Sequence, residues 1–391
     1  MKKIYFVLIM AFLCAPLFGQ ATVRPWWYSL ESGKNSFRSG DYGGALLAFE
    51  DARRDRREMY ERMERDLINF LSLAEARRLG DALDWVERYI YERRFTAAAA
   101  ALEELYYRVP KESFNNSATA ALKALGSLKG YPEAEYWIGE TYRVEGELGL
   151  ALSQFRKALA MKDLLLNQDF YVDLQYKIAD ILRIRQEYNE YERTLLAIIA
   201  DNDSLWTDAV NAELSRRESL QDRGSMPYNL ASATFAVQAM TRTLENEGPD
   251  RFLTLYRYNN TRAEPAHRSL GFFYAVSGRP SAQQHLTFAF LIQNSVLITE
   301  CIRRDFEFSF TTLEALGREI SRNPVLASYV KDTEYYKTAF YLAASLYRNG
   351  KTDTARALWT FLSRESKAGE WQNRSIQQLR NPHLEPIVEM P

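Results

Sequence analysis

Apolar and small residues recur along most of the chain at spacings of three and four positions, which places them on one face of an α-helix. The clearest run is residues 33–52, where the spacing continues on both sides of a break at Ser39-Gly40-Asp41. Because glycine tolerates the positive φ with which many helices end, Gly40 marks a reversal of the chain. The pattern therefore predicts two helices joined by a tight turn. Its apolar and small positions are Gly33, Phe37, Gly40, Tyr42, Ala45, Phe49 and Ala52.

The same spacing returns elsewhere in the chain. Counted from Gly33, the positions lie at offsets 4, 7, 9, 12, 16 and 19, and residues 343–362 repeat all of these offsets. Residues 139–158 repeat them from offset 7 onward. Since a repeated offset in a helical chain is typical of stacked structural units, the sequence predicts repeated helix pairs. Weaker copies occupy residues 85–110, 178–198 and 270–290.

This pattern resembles the tetratricopeptide repeat (TPR) family. That family pairs two antiparallel helices, with a small residue in the first and an Ala-x-x-x-Phe-x-x-Ala pattern in the second. Here Ala151, Phe155 and Ala158 match the second helix, and the small size of Gly139 lets the first helix approach it closely. The resemblance covers roughly half of the chain. It implies an all-α fold, a TPR-like α-solenoid in which antiparallel helix pairs form a right-handed superhelix.

The copies do not follow a constant step, so extra helices must lie between them. Segments 57–78, 117–128, 228–247 and 311–321 have helical apolar spacing and few breakers, and we expect inserted helix pairs there. Residues 223–227 combine a Gly-Ser turn with a proline. This stretch is either the boundary between two arrays or a simple loop in one continuous solenoid. The expected divisions are a signal peptide at 1–21, an N-terminal TPR-like array at 22–222, a C-terminal array at 228–380 with a capping helix over 370–380, and an irregular tail at 381–391.

The N-terminus has the features of a secretory signal peptide. Two lysines at positions 2–3 precede an apolar stretch at 4–13 that is too short to span a bilayer. The small residues Gly19 and Ala21 predict cleavage after Ala21, with cleavage after Gly19 as the alternative. Export of this kind predicts a periplasmic protein.

Cys14 leaves a second localisation open. A lipoprotein signal ends just before a cysteine, usually with a small residue directly ahead of it, but here bulky Leu13 occupies that place. The alternative is therefore an envelope lipoprotein that is attached to the membrane only through Cys14. Without that anchor Cys301 is the remaining cysteine, so stability must come from packing rather than from disulfides. No later run of about 18 apolar residues occurs, and no second membrane span is expected.

Composition and charge argue against nucleic acid as a partner. The formal net charge is −1 at pH 7, which provides no basic field. The charged run at 51–66 alternates in sign, as in a solvated helix face whose charges pair with each other. Only 12 prolines and 18 glycines interrupt the chain, a composition that favours many helices joined by short turns.

Candidate catalytic chemistry is sparse. His267, His285 and His383 are far apart in the sequence and lack a His-Glu-x-x-His spacing, so we expect each at the surface or at a helix end. The sequence contains no Cys-x-x-Cys pair and no Gly-x-x-x-x-Gly-Lys phosphate loop. We therefore expect no enzyme, no catalytic residue, no cofactor and no metal.

Partner binding is expected on the inner surface of the array, because in TPR solenoids the first helix of each repeat lines the concave face. Two such helices match each other over a shift of 40 residues, with the same side-chain chemistry at each place. Tyrosine and arginine at these places would supply apolar area and charged hydrogen bonds to a peptide or partner helix. The alternative is that they are ordinary exposed positions in two copies of one ancestor. The candidate residues are Glu133, Tyr136, Glu140, Arg143, Asp173, Tyr176, Asp180 and Arg183.

Together these features predict a non-catalytic protein–protein interaction scaffold of the bacterial cell envelope. It would bind a peptide or partner protein on its concave face, and the resemblance suggests assembly of a periplasmic machine such as the flagellar motor. One alternative is an accessory helical protein of a cell-wall or outer-membrane assembly enzyme complex. Another is a small-ligand-binding helical protein, which would need a closed apolar pocket rather than an open groove.

Overall fold

The computed structural model describes residues 25–71, 80–108, 126, 128–165, 167–209 and 228–384. Every regular element within these ranges is a helix, so the described part of the protein is all-α. Several sequence predictions fall outside these ranges. They are the signal peptide at 1–21 with Cys14, most of the inserted segment 117–128, the boundary at 223–227 and most of the tail at 381–391.

Contacts between residues divide the chain into two units, one up to Arg185 and one from Gln186 onward. The first unit contains α1 (Trp26–Arg38), α2 (Tyr42–Leu71), α3 (Gly80–Tyr91), α4 (Phe95–Arg108), α5 (Pro132–Val144), α6 (Leu148–Ala160) and α7 (Gln168–Ile184). The second contains α8 (Tyr188–Asn202), α9 (Tyr228–Leu255), α10 (Glu264–Val276), α11 (Ala282–Arg304), α12 (Leu313–Arg322), α13 (Pro324–Asp332), α14 (Tyr335–Arg348), α15 (Thr352–Arg364) and α16 (Glu370–Arg380). Short helical segments also occupy 162–164, 204–209 and 366–368.

Neighbouring helices in the sequence pack against each other. In the first unit α1 packs on α2, α3 on α4 and α5 on α6, while α2 also contacts α5 and α6 contacts α7. In the second unit α10 packs on α11 and α14 on α15, and α11 also contacts α14. The helix predicted over 370–380 is confirmed as α16, which covers α14 and α15.

The turns that close these helix pairs share one backbone geometry. Gly40, Gly146 and Gly350 have φ of 83°, 83° and 75°, as the sequence predicted for chain reversals. The N–H of the following residue donates to the carbonyl five residues back, as Asp41 does to Ser36 at 2.9 Å. This is the Schellman arrangement, which satisfies carbonyls at the helix end and reverses the chain within a few residues.

Paired helices approach most closely where a glycine faces an aromatic ring. A Cβ atom built on Gly33 of α1 would lie 2.5 Å from the ring of Phe49 in α2. The same contact recurs between Gly139 of α5 and Phe155 of α6, at 2.7 Å. Both rings are completely buried, so the predicted packing of small residues against aromatic ones is confirmed. The corresponding residues between α14 and α15 are the buried Ala343 and Trp359.

The inserted segment predicted at 57–78 is not a separate helix pair as far as the structure describes it. Instead α2 continues without a break to Leu71. No glycine or proline occurs between Ala45 and Leu71, so nothing in the sequence ends the helix. The extension places the buried Met59, Tyr60 and Met63 against α3 and α4, where they form a second apolar core.

The charged run at 51–66 is mostly a paired helix surface, as predicted. Arg54 lies 2.6 Å from Asp51 and 3.9 Å from Glu58. Arg56 is the exception, because its side chain is buried and its guanidinium lies 4.7 Å from the Trp26 ring. A cation stacked on aromatic rings in this way contributes to packing rather than to solubility.

In the second unit, the observed helices agree more closely with the inserted segments that the sequence predicts. Helix α9 is broken at Gly248, where φ is 87°, immediately before Pro249, so its first part corresponds to the segment predicted at 228–247. The segment predicted at 311–321 corresponds to α12, which packs against α13. Thr312 caps α12 and Asn323 caps α13 with side-chain oxygens that accept backbone N–H groups.

Helix α11 forms the centre of the second unit. Within the described residues it is the one helix long and apolar enough to cross a membrane, yet 78% of its most apolar stretch is buried inside the protein. Gln293, Asn294 and Ser295, near its middle, are completely buried. The Gln293 amide donates to Glu264 at 2.8 Å, and Asn294 and Ser295 accept from the Tyr335 hydroxyl and the Tyr258 N–H. Buried polar groups with partners hold α11 in one register against its neighbours.

We expect Gly139→Ala to destabilise the protein by about 1–3 kcal/mol, because the new methyl group collides with a buried ring that cannot move aside. The measurement is the midpoint of urea unfolding followed by far-UV circular dichroism. The matched control is Gly43→Ala, at an exposed helical position with nothing within 4 Å of the added Cβ. It should be neutral or stabilising by up to about 1 kcal/mol. Equal unfolding midpoints for the two variants would contradict the close-approach argument.

A substitution in the turn between α3 and α4 should instead increase the stability of the protein. Arg93 stands there with φ of 56°, a left-handed conformation that costs an L-residue roughly 1–2 kcal/mol. Arg93→Gly should therefore raise the free energy of unfolding by up to about 1 kcal/mol. Gly146→Ala, where no atom crowds the added Cβ, should lower it by about the same amount through the backbone alone. A loss of stability in Arg93→Gly would show that its side chain, not its φ, matters.

Candidate partner-binding site

The structure brings the predicted binding residues of α5 and α7 together in pairs. The hydroxyl of Tyr136 donates to Asp173 Oδ2 at 2.5 Å. Burial and the nearby Asp173 carboxylate raise the pKa of Tyr136, so the hydroxyl keeps its proton. The ring is 8% exposed and lies edge-on to Phe170. Tyr136 therefore joins the two helices and offers little surface to a partner.

The predicted charges also pair with each other. Arg143 donates to both carboxylate oxygens of Glu140 at 2.9 Å, and the buried Glu140 also accepts from Lys177 at 3.1 Å. At the matching positions of α7, Arg183 donates to Asp180 at 2.8 Å in another i, i+3 pair. Such pairs fix side-chain positions but leave less charge for a ligand.

Exposure separates the predicted residues into two groups. Glu133, Tyr136 and Glu140 are buried. The remaining residues of the set are exposed or partly exposed and stay candidates for partner contact: Arg143, Asp173, Tyr176, Asp180 and Arg183. Binding by this surface stays a prediction.

A second candidate surface lies wholly within the second unit, and the sequence did not predict it. A cavity of about 540 Å³ opens among α10, α12, α13, α14, the helical turn at 366–368 and α16. Aromatic rings from three helices form one wall: Phe272, Tyr341 and Trp371. The Phe272 and Tyr341 centroids lie 5.4 Å apart, and the Tyr341 and Trp371 centroids lie 5.7 Å apart. This wall offers apolar area of the kind that anchors side chains in protein interfaces.

Positive charge exceeds negative charge around this cavity. Its lining contains four cationic side chains and the carboxylates of Glu334 and Glu370. Glu334 is already bound by Arg268 and Lys337 at 2.5 and 2.9 Å. Although burial opposes ionisation, these hydrogen bonds hold the pKa of Glu334 below its ordinary value. The cations are Lys331, Lys337, Lys367 and Arg374.

The remaining cations are well placed to attract an anionic ligand. Lys331 is exposed at the end of α13, and the exposed Lys367 donates to the Ser321 carbonyl at 2.9 Å. The Arg374 guanidinium lies 4.7 Å from the Trp371 ring. A cavity with an aromatic wall and excess positive charge fits a ligand that combines carboxylates with apolar side chains.

No spacing pattern in the sequence indicates this cavity, because its residues come from elements that are far apart in the chain. The available hint was Trp371 on a helix expected only to cap the array. A capping helix needs apolar residues on one face alone, so an aromatic residue beside Arg374 can indicate a second surface on that helix.

Two histidines meet in the core of the second unit. His267 and His285 lie in the first turns of α10 and α11, at helix ends as expected, but both are buried. Their Nδ1 atoms are 3.1 Å apart, and His267 Nε2 lies 3.2 Å from Asp203 Oδ2. Their proximity was not predicted, because the spacing of the residues along the chain carries no sign of it. His383 is exposed, as expected.

Hydrogen bonds fix the protonation of this cluster. Asp203 Oδ1 accepts from the Tyr258 hydroxyl at 2.7 Å and from the Trp206 N–H at 2.9 Å. Burial disfavours the carboxylate, but together with the bond from His267 these contacts hold the pKa of Asp203 below its ordinary value. Burial lowers the pKa of both histidines, so both are neutral at neutral pH. A neutral His267 that donates from Nε2 to Asp203 accepts at Nδ1 from His285 Nδ1–H.

The described residues contain no group of three or more His, Cys, Asp or Glu side chains that could hold a metal ion. Cys301 is buried with a free thiol, and burial raises its pKa to about 11. That shift keeps the thiol protonated and unreactive at neutral pH.

Comparison with known proteins places the chain beside one bacterial relative. A protein of Treponema pallidum (strain Nichols), described as uncharacterized, is 24% identical over 357 residues, which cover 90% of this chain and 89% of the relative. No protein-family model matches the sequence. The similarity extends over most of both chains, and the description of the relative names no activity.

The histidine pair predicts how stability depends on pH. Unfolded histidines take up protons near pH 6.5, whereas the native pair stays neutral because its pKa values are lowered. The unfolded state therefore binds more protons, and stability falls as pH drops below about 6.5, by about 1.4 kcal/mol per pH unit for each neutral histidine.

His285→Phe removes one of these groups. We expect a less stable protein at pH 7.5 whose urea midpoint depends less on pH between 7 and 5 than that of the wild type. His383→Gln, at an exposed position, should leave the pH dependence unchanged. If the His285→Phe variant kept the full wild-type dependence, the pair would not be the origin of the acid sensitivity.

Proposed function

We propose that the chain is a non-catalytic protein–protein interaction scaffold built from TPR-like helix pairs and exported to the bacterial envelope. The observation that carries this proposal is the repeated contact between a glycine and the aromatic residue 16 positions later, in α1–α2 and again in α5–α6. In each pair the two helices are joined by the same positive-φ turn, at Gly40 and at Gly146. Because the same glycine–aromatic contact recurs at the same spacing in the sequence, it supports descent of these helix pairs from a common structural unit.

The proposed location rests on the N-terminal sequence. Residues 1–21 have the charge, the apolar length and the small residues of a secretory signal. A periplasmic protein is the simplest outcome, and lipid attachment at Cys14 is the alternative. The bacterial source of the relative agrees with either location.

Catalysis finds no support in the described residues. Asp203, His267 and His285 form an acid–histidine chain, but each is at most 3% exposed. A substrate cannot reach these groups without opening the core, and general acid–base chemistry needs direct or water-mediated contact. Their role is to stabilise the second unit.

The cavity of the second unit supports one further candidate, a small-ligand-binding protein. Its volume of about 540 Å³ is in the range of small-molecule sites. However, the exposed Lys331, Lys367 and Glu370 lie around it, so it is not a closed apolar pocket. Native mass spectrometry of the purified protein would detect a co-purifying ligand.

Crosslinking in native cells tests the scaffold directly. We would replace Tyr176 on α7 by p-benzoylphenylalanine, irradiate the cells and identify the captured proteins by mass spectrometry. The expected result is one discrete adduct in the envelope fraction, because Tyr176 lies on the predicted inner surface. The control is the same replacement at Leu150, which is exposed and lies on α6, the second helix of its pair. No adduct at Tyr176, or the same adducts at both positions, would contradict the proposal.

A further inference from the structure

The last described residues lie close to α14, one of the helices that line the cavity of the second unit. After α16 the Tyr347 hydroxyl donates to the Pro382 carbonyl at 3.4 Å. Two residues later, Leu384 lines a small surface depression together with Phe340, Tyr341 and Arg348 of α14. The last described residues therefore lie beside α14, next to a depression that extends along this helix from Arg348 back to Phe340.

This depression adjoins the cavity. Tyr341 lines both the depression and the aromatic wall of the cavity. Lys337, on the same helix and also in the cavity lining, is one turn farther on, about 6 Å along the axis. An extended chain covers about 3.3 Å per residue. The seven residues 385–391 are therefore long enough to cross the cavity.

The chemistry of these residues matches the cavity. Their sequence is Glu-Pro-Ile-Val-Glu-Met-Pro, which contains two carboxylates, three apolar side chains and no cation. The cavity offers the opposite charge at Lys331 and Lys367, and apolar area at Trp371. Oppositely charged groups facing each other across a partly buried surface attract and also set the register of the bound segment.

We propose that residues 385–391 bind into this cavity, with their carboxylates toward Lys331 and Lys367 and their apolar side chains against the aromatic wall. Because the segment is tethered at Leu384, its effective concentration is in the millimolar range, and modest intrinsic affinity is enough to fill the site. The segment is then an internal competitor that any other acidic, apolar segment must displace. This inference concerns the second unit alone and holds whether or not the proposed scaffold function is correct.

A peptide-binding experiment tests the inference. The probe is a fluorescein-labelled synthetic peptide of residues 381–391, and its binding is followed by fluorescence anisotropy at 50 mM NaCl. A variant that ends at Leu384 should bind the peptide at least about tenfold more tightly than the full chain, whose own segment fills the site. Binding should weaken at 500 mM NaCl, since salt screens the attraction. Equal affinity of the two proteins for the peptide would overturn the inference.

Charge reversal identifies the site. In the variant that ends at Leu384, Lys331→Glu with Lys367→Glu should weaken peptide binding about tenfold or more. Arg356→Glu, at an exposed position of α15 outside the cavity, should leave it unchanged. A peptide with Glu385→Lys and Glu389→Lys should bind the doubly reversed protein better than the unreversed one. That rescue also excludes misfolding as the cause of the loss.

Two results would overturn the inference at this stage. In the first, the doubly reversed protein and the Arg356→Glu protein bind the peptide equally well. In the second, sedimentation velocity shows that the full chain dimerises and that removal of residues 385–391 abolishes the dimer, because the segment would then occupy a second copy.

Discussion

The distance between paired helices depends on the contact between a helical glycine and a buried aromatic ring. At Gly33 and Gly139 no Cβ atom separates the backbone from the rings of Phe49 and Phe155. The helices can therefore lie closer than side chains of ordinary size would permit, and the ring fills the remaining space. The positive-φ turns complete the constraint, because they return the chain while the two faces are still in register. The other contacts of these pairs can form only at the spacing that this contact sets.

The closely packed helix pairs could be predicted from the sequence because the residues that form each pair lie near one another in the chain. A glycine, its aromatic partner and the turn between them occupy fewer than 20 consecutive residues, so a spacing pattern reveals all three. The bounds of α16 and the break of α9 at Gly248 were predictable for the same reason. The continuation of α2 was not, because an uninterrupted helical stretch does not show whether it lengthens one helix or starts another.

The candidate sites could not be predicted because they depend on separate elements that meet only in the folded unit. Helical periodicity could place Tyr136 on the first helix of a repeat, but not show that Asp173 would bind its hydroxyl. His267 and His285 are 18 residues apart, and their contact depends on how α10 packs against α11. The cavity likewise combines side chains from α10, α13, α14 and α16. In the sequence alone, each lysine that lines the cavity is indistinguishable from an ordinary surface lysine.

If the protein is exported as proposed, the sequence of α11 must also meet a requirement that applies before folding, during passage through the membrane. A chain exported with a signal peptide passes through the translocation channel unfolded, and the channel releases sufficiently apolar segments sideways into the lipid. The apolar residues of α11 are needed for the core, so their hydropathy approaches that of a stop-transfer segment. Gln293, Asn294 and Ser295 interrupt the apolar run near its middle, where polar residues oppose insertion most strongly. If the protein is exported as proposed, the residues that fix the register of α11 in the folded unit would also favour its complete passage through the membrane.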